Sequence, residues 1–315
     1  MVGLTHHCIL FSQTNLVLNW DAENYLQCPS AGSGDLNNDV VDWYDPLNGL
    51  PIDSPDYMHP CSSDANFSTP TNGFGYQIAR SGVAYIHSGI YLTFNNNFYA
   101  MEPFAGKLSS TLEKDKIYQV KFYLSMSNFS NISIDAFDIS FSEDSIYITN
   151  PHGLSNIIMI NQPGNIINDT VNWVEISTCF KANGTENHFI IGALRDTNLI
   201  NIEFNTFCDP CVASYIFDDF SIYECDTCCL DEFPIEEYIN IFPNPGNAQN
   251  VNVFVSNDNT SKIELFDATG KLVWQNKFQE FYQNTSLPVL AQGVYLWRYI
   301  SSTGFNKTGK IITIK

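Results

Sequence analysis

The sequence predicts an all-β protein built as two β-sandwiches. Segments in which apolar and polar residues alternate recur along the chain, and turn residues such as Asn183-Gly184 separate them. No long segment shows the periodicity of an amphipathic helix, and Leu108–Lys114 is predicted to make one helical turn. The composition is 14% aromatic and only 15% charged, which suits strands that expose half of their side chains to water.

The strand-like segments fall into two groups. The first group, upstream of residue 230, includes Lys116–Met126, Ala136–Ser142, Asn172–Phe180, His188–Leu194 and Tyr215–Tyr223. In the second group the strand-like segments follow one another at shorter intervals. They are Val251–Val255, Lys262–Asp267, Lys271–Asn276, Gly293–Ser301 and Lys307–Ile314. Residues 231–239 lie between the groups, are acidic and contain Pro234, which favours a linker. We therefore predict one domain over residues 13–230 and a second over residues 240–315.

The start of the chain is interpreted as the remnant of a signal peptide. Residues 1–12 contain a short apolar run, Cys8–Phe11, but no Lys or Arg precedes Arg80. An ordinary N-terminus is the alternative.

No stretch approaches the roughly 20 apolar residues of a membrane helix, so no transmembrane segment is predicted. The formal charge of −20 excludes nucleic acid as a partner and favours divalent cations as ligands.

The cysteines favour an oxidising compartment. Eight of the nine lie beyond the presumed signal peptide: Cys28, Cys61, Cys179, Cys208, Cys211, Cys225, Cys228 and Cys229. Cys28 and Cys61 flank a turn-rich loop and are predicted to form a disulfide. The connectivity of the other six stays open. The spacing Cys208-x-x-Cys211 and Cys225-x-x-Cys228 would also suit a four-thiolate zinc site, which is the rival interpretation.

The last 75 or so residues carry a set of short motifs. Two prolines in Phe242-Pro243-Asn244-Pro245 stiffen the entry to the domain, and Asp267-Ala-Thr-Gly270-Lys271 is a hairpin turn in which Gly270 is free to take positive φ. The remaining motif residues are Gly293 and Tyr295, which begin a strand, and Gly309 and Lys310, which begin the closing segment GKIITIK.

In order and spacing these motifs closely resemble the type A C-terminal sorting domain of proteins exported by the type IX secretion system of Bacteroidetes. The resemblance covers residues 240–315. It implies a small immunoglobulin-like β-sandwich that is read by the secretion machinery at the outer membrane. It also implies that the protein crosses the periplasm and ends as a secreted or cell-surface protein.

The two ends of the first domain carry a second resemblance. Asn15–Tyr25 reads NLVLNWDAENY, and Tyr215–Tyr223 reads YIFDDFSIY. These segments resemble the first and last strands of galactose-binding-like jelly rolls, which include several carbohydrate-binding modules. The resemblance implies that the two strands lie side by side. It also implies a structural Ca²⁺ held by Glu23 with Asp218 or Asp219, whose oxygens are the hard ligands that Ca²⁺ prefers.

The segments between these strands are similar to an uncharacterised N-terminal domain of Bacteroidetes surface proteins. They are Asp42–Pro46, Pro55–Tyr57, Cys61, Phe74–Gln77 and Arg80–Tyr85. Sugars stack on exposed aromatic rings beside polar groups. We therefore predict a glycan-binding face drawn from the aromatic and polar residues Trp43, Tyr44, Tyr57, Tyr76, Gln77, Arg80 and Tyr91, although core positions are the competing interpretation for most of these aromatics.

No enzyme signature is present. The chain lacks G-x-S-x-G, H-E-x-x-H and a glycine-rich phosphate loop, and His59, His87, His152 and His188 are scattered. The sequence therefore predicts a non-catalytic exported protein whose jelly roll binds carbohydrate. A structural or adhesive surface protein that binds other proteins is the first alternative. A glycan-acting hydrolase is the second, because its two carboxylates could come from distant strands.

Overall fold

The chain divides into two compact units, Met1–Cys229 and Leu230–Lys315, which we call unit 1 and unit 2. The computed structural model describes residues 14–30, 35–47, 54–95, 97–149, 154, 156–225, 238–242, 246–247, 251–256, 260–278, 282–302, 304 and 306–314. The predicted signal-peptide remnant lies outside these residues. No helix in the described part of the chain is long and apolar enough to cross a bilayer.

Unit 1 is a jelly-roll sandwich of two antiparallel sheets, which confirms the predicted all-β class. The first sheet has the order β1 (Trp43–Tyr44), β7 (Phe104–Lys107), β13 (His188–Gly192), β10 (Asp138–Ser142) and β11 (Ile158–Met159). The second has the order β12 (Val174–Lys181), β8 (Ile117–Met126), β15 (Cys211–Glu224), β5 (Tyr85–Phe94) and β2 (Asp56–Met58), with β6 (Asn97–Ala100) also paired to β5.

Smaller elements connect these sheets. The hairpin β3 (Thr71–Asn72) and β4 (Gly75–Tyr76) follows a 3₁₀ turn at Ala65–Phe67, and β9 (Ile132–Ile134) pairs with β14 (Ile202–Phe204). A second 3₁₀ turn spans Thr197–Leu199. The helix α1 (Leu36–Asp39) begins at Asp35, whose carboxylate accepts from the N–H of Asn37. The helical turn predicted at Leu108–Lys114 is wrong: those residues form a bridge and bends, and α1 was not predicted.

Aromatic side chains fill the space between the two sheets. Alternate residues of β8, namely Tyr118, Val120, Phe122 and Leu124, are buried, as the period of two in a strand requires. Phe104 of the first sheet contacts Phe217 of the second, with ring centroids 4.8 Å apart. Burial of each such ring contributes about 1.5–3 kcal/mol before the entropy cost of ordering it. The sheets therefore pack face to face around one core.

The start of unit 1 lies beside β15 but is not a regular strand. The N–H of Leu16 donates to the carbonyl of Ile222 at 3.0 Å, and the N–H of Phe220 donates to the carbonyl of Trp20 at 2.9 Å. Asn19 and Ala22 have positive φ, so the chain turns between them and the predicted strand over Asn15–Tyr25 is interrupted. This turn aims Glu23 at the segment 80–84, which is described below.

Two disulfides join described residues of unit 1, and Cys225 is disulfide-bonded as well. Cys28 and Cys61 are bonded, with Cα atoms 5.6 Å apart, which confirms the predicted pair. Cys208 and Cys211 are also bonded, so this pair is not half of a zinc site. Burial raises the pKa of the free Cys179 thiol to about 11, which makes it unreactive at neutral pH.

Unit 2 is a smaller sandwich. One sheet contains β16 (Tyr238–Phe242), β18 (Asn252–Ser256) and β21 (Tyr282–Ser286), and the other contains β17 (Gly246–Asn247), β23 (Asn306–Ile314), β22 (Gly293–Ser301), β19 (Ser261–Phe266) and β20 (Leu272–Phe278). Its core contains Ile239, Val253, Leu265 and Tyr299. Because β16 starts at Tyr238, the predicted linker over residues 231–239 extends too far by Tyr238 and Ile239.

Candidate functional site

The outer face of the six-stranded sheet in unit 1 carries the candidate site. Strand β5 turns Ile86 and Ile90 to the core, so the alternate residues Tyr85, His87 and Gly89 lie on the opposite face. There Tyr85 packs with Met58 and Ile216 in a second apolar cluster, and Phe67 and Phe74 lie against it. The chain between β2 and β5 thus covers part of this face.

A cavity of about 300 Å³ opens beside this cluster. Its lining combines aromatic and aliphatic side chains with two carboxylates, a histidine and two serines. The lining residues are Ser54, Asp56, Phe67, Phe74, His87, Gly89, Leu92, Glu102, Phe129, Val212 and Ser214.

Three of these residues form a hydrogen-bonded chain across three strands. Asp56 lies directly opposite His87 in the β2–β5 pairing, and its Oδ2 is 3.1 Å from His87 Nδ1. His87 Nε2 lies 2.5 Å from Ser214 Oγ on the other side. In the tautomer that satisfies both contacts, Nδ1–H donates to Asp56 and Nε2 accepts from the Ser214 hydroxyl.

The pairing of β15 with β5 is irregular where β15 supplies Ser214. Ala213 pairs with Tyr91 and Tyr215 with Ser88, so the extra residue of the bulge lies on β5, across from Ser214. The backbone of Ser214 is fixed by neighbours: its carbonyl accepts from the N–H of Ser127 at 2.9 Å, and its N–H donates to Ser130 Oγ at 2.8 Å. These bonds hold the backbone of Ser214, whose hydroxyl lies at the imidazole.

Phe74 and Phe129 form the aromatic wall of the cavity. The Phe74 ring stacks on the His87 imidazole with centroids 3.7 Å apart, and Phe129 meets Phe74 edge-on at 6.0 Å. Phe74 is held in place because its carbonyl accepts from Ser127 Oγ at 2.6 Å and from the N–H of Phe129 at 3.1 Å. Phe129 itself is 57% exposed, which leaves its ring open to a ligand.

Glu102 supplies the second carboxylate of the cavity. Its Oε2 accepts from the N–H of Gly89 at 2.6 Å. A Cβ at residue 89 would lie 3.0 Å from that oxygen, so glycine allows the close approach. Glu102 is buried, and its position beside Asp56 and His87 gives the cavity an excess of hydrogen-bond acceptors.

The carboxylates predicted to hold Ca²⁺ converge on the segment 80–84 on the covered face. Glu23 Oε1 accepts from the N–H groups of Val83 and Ala84, both at 2.7 Å. Asp218 Oδ2 accepts from the N–H of Arg80 at 2.8 Å. Asp219 pairs with the Arg80 guanidinium, which also lies over the Tyr123 ring at 3.3 Å from its centroid.

These carboxylates have the oxygen donors that Ca²⁺ binds, but their partners in the structure are N–H groups, the Ser81 hydroxyl and Arg80. Among the described residues, no three His, Cys, Asp or Glu side chains are grouped so that they could hold a metal ion. Burial and the neighbouring Asp219 raise the pKa of Asp218 to about 8, because its negative charge is poorly solvated there. The calcium ion therefore stays a prediction.

Most of the aromatic residues predicted to bind glycan are in the core, which corrects that prediction. Trp43, Tyr57 and Tyr91 are buried. Trp43 packs edge-on against Phe189 and donates to the carbonyl of Asn19, and Tyr57 donates to the carbonyl of Ala22 at 2.9 Å. Strand alternation turns these rings inward, so they offer no surface for stacking.

The other four predicted glycan-binding residues do not line the cavity either. Gln77 is buried and donates to Ser125 Oγ at 2.7 Å. Tyr44 is half-buried, and its hydroxyl accepts from the N–H of Ile146. Arg80 is engaged with Asp219, as above. Tyr76 is 54% exposed, and Arg80 is also exposed.

Sequence reasoning missed Asp56, Ser214, Glu102, Phe74 and Phe129 as a group. His87 was noted, but as one of several scattered histidines. The available signal was the strand Tyr85–Phe94, in which His87 alternates with Ile86 and Ser88. The register of β5 against β2 and β15 selects its neighbours, and that register cannot be read from one sequence.

The motif residues of unit 2 have structural roles. Asp267 Oδ1 accepts from the N–H groups of Thr269 and Lys271, at 2.9 and 3.1 Å, and Gly270 has a φ of 85°. Tyr295 donates to the carbonyl of Ala291 at 3.0 Å, and the N–H of Gly293 donates to Thr313 Oγ1 at 2.9 Å. Lys310 lies on β23 opposite Leu296. Pro243, Asn244 and Pro245 lie outside the described residues.

Residues 240–315 match the family described as "Secretion system C-terminal sorting domain". This part of the chain is therefore a type IX C-terminal sorting domain, and the protein is exported to the cell surface or released. The domain implies interaction with the secretion machinery. No curated protein matches the chain.

Solved structures with a similar fold include carbohydrate-binding modules. The CBM22-1 xylan-binding domain of Paenibacillus barcinonensis Xyn10C is 12% identical, with 59% of this chain and 94% of that chain covered and a TM-score of 0.30. TmCBM61 in complex with β-1,4-galactotriose is 13% identical, with 67% and 99% covered and a TM-score of 0.33. PorZ of the Porphyromonas gingivalis type IX secretion system is 15% identical, with 31% of this chain and 14% of that chain covered and a TM-score of 0.22. The match therefore spans about one seventh of PorZ.

Proposed function

We propose that unit 1 of this exported protein binds carbohydrate in the cavity on the outer face of its six-stranded sheet. The observation that carries the proposal is the pairing of an exposed aromatic ring with buried acceptors. Phe129 stands at the cavity beside Phe74, and the carboxylates of Asp56 and Glu102 face the same space. A sugar offers an apolar C–H face to a ring and hydroxyl donors to carboxylates.

The charge of the cavity favours a neutral sugar. Among the described residues, its lining contains Asp56 and Glu102 but no Lys or Arg, and the whole chain carries a formal charge of −20. A uronic or sialic acid would bring a further negative charge close to two carboxylates, which costs Coulomb energy at low dielectric. Neutral hexoses and pentoses have no such cost.

The size of the cavity favours a short ligand. About 300 Å³ is at the lower end of the range for small-molecule sites. A single ring or the end of a chain fits that volume, and further rings would extend over Phe129 towards solvent. We therefore propose recognition of a chain end or a branch.

The proposal includes a structural role for Ca²⁺ at Glu23, Asp218 and Asp219. Its support is that these carboxylates, from both ends of unit 1, converge on one five-residue segment, Arg80–Ala84. Such an ion would stabilise the fold of unit 1 and would not take part in ligand binding at the cavity.

A glycan array probed with the full chain tests the proposal. We expect binding to one or a few neutral glycans and none to acidic ones. An array without any bound neutral glycan, or one in which only acidic glycans bind, would contradict it. Binding to surface proteins instead of glycans would favour the adhesive alternative.

A further inference from the structure

The geometry of Asp56, His87 and Ser214 is that of a nucleophile with its base and an orienting carboxylate. The imidazole bridges the two oxygens, at 3.1 Å to Asp56 Oδ2 and 2.5 Å to Ser214 Oγ. Such a constellation is recognised by roles and distances and not by the order of its members along the chain. The absence of G-x-S-x-G from the sequence therefore does not bear on it.

We propose that Ser214 is a nucleophilic serine that transfers the acyl group of a small neutral ester. This goes beyond the proposed sugar binding and beyond the non-catalytic protein predicted from the sequence. It uses the same cavity, but its test does not depend on any sugar being bound.

The reaction balances with water as the only co-reactant. Ser214 Oγ bonds to the ester carbonyl carbon while its proton passes to His87 Nε2, and that proton then leaves with the alcohol as the ester C–O bond breaks. Water, deprotonated by His87, next attacks the acyl-serine. The bond between the acyl carbon and Ser214 Oγ breaks, His87 returns the proton to Oγ, and the acid is released. Asp56 accepts from Nδ1–H throughout, and so orients the ring and stabilises the imidazolium.

The surroundings of the triad hold it in position. Phe74 stacks on the imidazole at 3.7 Å and prevents the ring from turning away from Ser214. The two backbone hydrogen bonds of Ser214, to Ser127 and Ser130, hold this residue from the other side. Both His87 and Ser214 are buried, so reagents reach them through the cavity that they line.

The lining selects the class of substrate. Asp56 and Glu102 disfavour anionic esters, while Phe74, Leu92 and Val212 suit a short apolar acyl group. A cavity of about 300 Å³ excludes long-chain lipids. The substrate class is thus a neutral ester of a small carboxylic acid, such as an acetyl ester.

Two N–H groups at the cavity, those of Ser214 and Gly89, are already bonded, and this determines the choice of probe. The N–H of Ser214 donates to Ser130, and the N–H of Gly89 donates to Glu102. An oxyanion that must compete for these donors makes turnover slow, because such donors each contribute about 10²–10³-fold. Covalent capture is therefore a sharper readout than hydrolysis, and diisopropyl fluorophosphate is small enough for the cavity.

The experiment incubates the folded full chain with diisopropyl fluorophosphate and measures intact mass and peptide masses. We expect one adduct, on Ser214. Ser214→Ala should abolish the adduct, and His87→Ala should slow its formation by about 10²–10⁴-fold. Ser125→Ala is the matched control. Ser125 is buried like Ser214 and lies on β8 of the same sheet, but its hydroxyl bonds to Gln77.

Asp56 is a positioning residue and needs its own readout. Asp56→Asn should slow labelling while the melting temperature is kept, and Asp56→Glu should restore part of the rate. Absence of an adduct on the folded wild-type chain, under conditions that fully label a known serine hydrolase, would overturn the proposal. So would an adduct on any residue other than Ser214. Labelling of Ser214 in a protein that binds no glycan would leave this inference standing and refute the sugar proposal alone.

Discussion

The indole of Trp297 lies against Gly309, its partner across the β22–β23 pair. A Cβ at residue 309 would lie 2.5 Å from Trp297 Cζ2, which is shorter than any ordinary contact between non-bonded carbon atoms. This contact gives a physical reason for glycine at the start of the closing Gly309-Lys310 motif of the sorting domain.

The first prediction follows from that contact. Gly309→Ala should destabilise unit 2 by about 1–3 kcal/mol, because the added methyl group overpacks the site and displaces the indole. Gly293→Ala is the control, since a Cβ there would meet only the Tyr295 ring, at 4.0 Å. Calorimetric unfolding of the full chain measures both. Equal stability of the two variants would refute the packing role of Gly309.

The second prediction concerns pH and Asp39. Burial, and to a smaller extent Asp35, raise the pKa of Asp39, although the Gln27 amide donates to its Oδ1; its Oδ2 has no partner among the described residues. A raised folded pKa means that the native state binds the proton more tightly than the unfolded chain. Asp39 therefore costs stability as pH rises from the unfolded pKa of 3.8 through the folded value.

Asp39→Asn should accordingly stabilise unit 1 more at pH 7 than at pH 4, as measured by melting temperature. Asp115→Asn is the control of opposite sign: a hydrogen bond and ion pair with Lys181 lower the pKa of Asp115, so its contribution is lost as pH falls. If Asp39→Asn shifted the melting temperature equally at both pH values, the charged form of Asp39 would not be the cause.

The third prediction concerns Ca²⁺. If an ion binds at Glu23, Asp218 and Asp219, it clamps the two ends of unit 1 and stabilises the folded state by mass action. Millimolar Ca²⁺ should then raise the melting temperature of unit 1 and a chelator should lower it. Glu23→Gln should remove most of this response, and Asp21→Asn should change it less. A melting temperature that does not change with Ca²⁺ or chelator would contradict the ion and leave these carboxylates with the hydrogen-bond and ion-pair partners described above.

The fourth prediction concerns the boundary between the units. Limited proteolysis of the full chain should cut within residues 231–237 and leave two folded fragments, because β16 begins at Tyr238 and is protected by pairing with β18. Fragment masses locate the cut. A chain that resists cleavage there, or that loses both units together after the cut, would contradict two independent units.

The fold could be predicted from the sequence where the local residue pattern and the tertiary structure agree. Alternation predicted Lys116–Met126, found as β8 over Ile117–Met126, and Gly293–Ser301, found as β22 with the same bounds. The segment Asn15–Tyr25 failed because Asn19 and Ala22 adopt positive φ, which residue type alone does not signal. The Cys28–Cys61 pair was readable because two cysteines flanked one loop.

The candidate site could be predicted from the sequence much less well than the fold. An aromatic residue in a strand can face the core or solvent, and residue type does not distinguish the two. Trp43, Tyr57 and Tyr91 were predicted to bind glycan, but they face the core. The cavity residues come from three strands, a 3₁₀ turn and four loop segments, and only the strand register joins Asp56 to His87. A shift of one residue in that register would move His87 away from Asp56 and the other cavity residues, so the site depends on information beyond local pattern.

The affinity of Phe129→Ala for the best glycan from the array tests the central proposal most directly. Calorimetric titration of the full chain should show about tenfold weaker binding than wild type, equivalent to about 1.4 kcal/mol. Phe204→Ala is the matched control, because Phe204 is 58% exposed against 57% for Phe129 and does not line the cavity. Loss of affinity in Phe129→Ala alone is the predicted result. Wild-type affinity in Phe129→Ala, or an equal loss in both variants, would contradict sugar binding in this cavity.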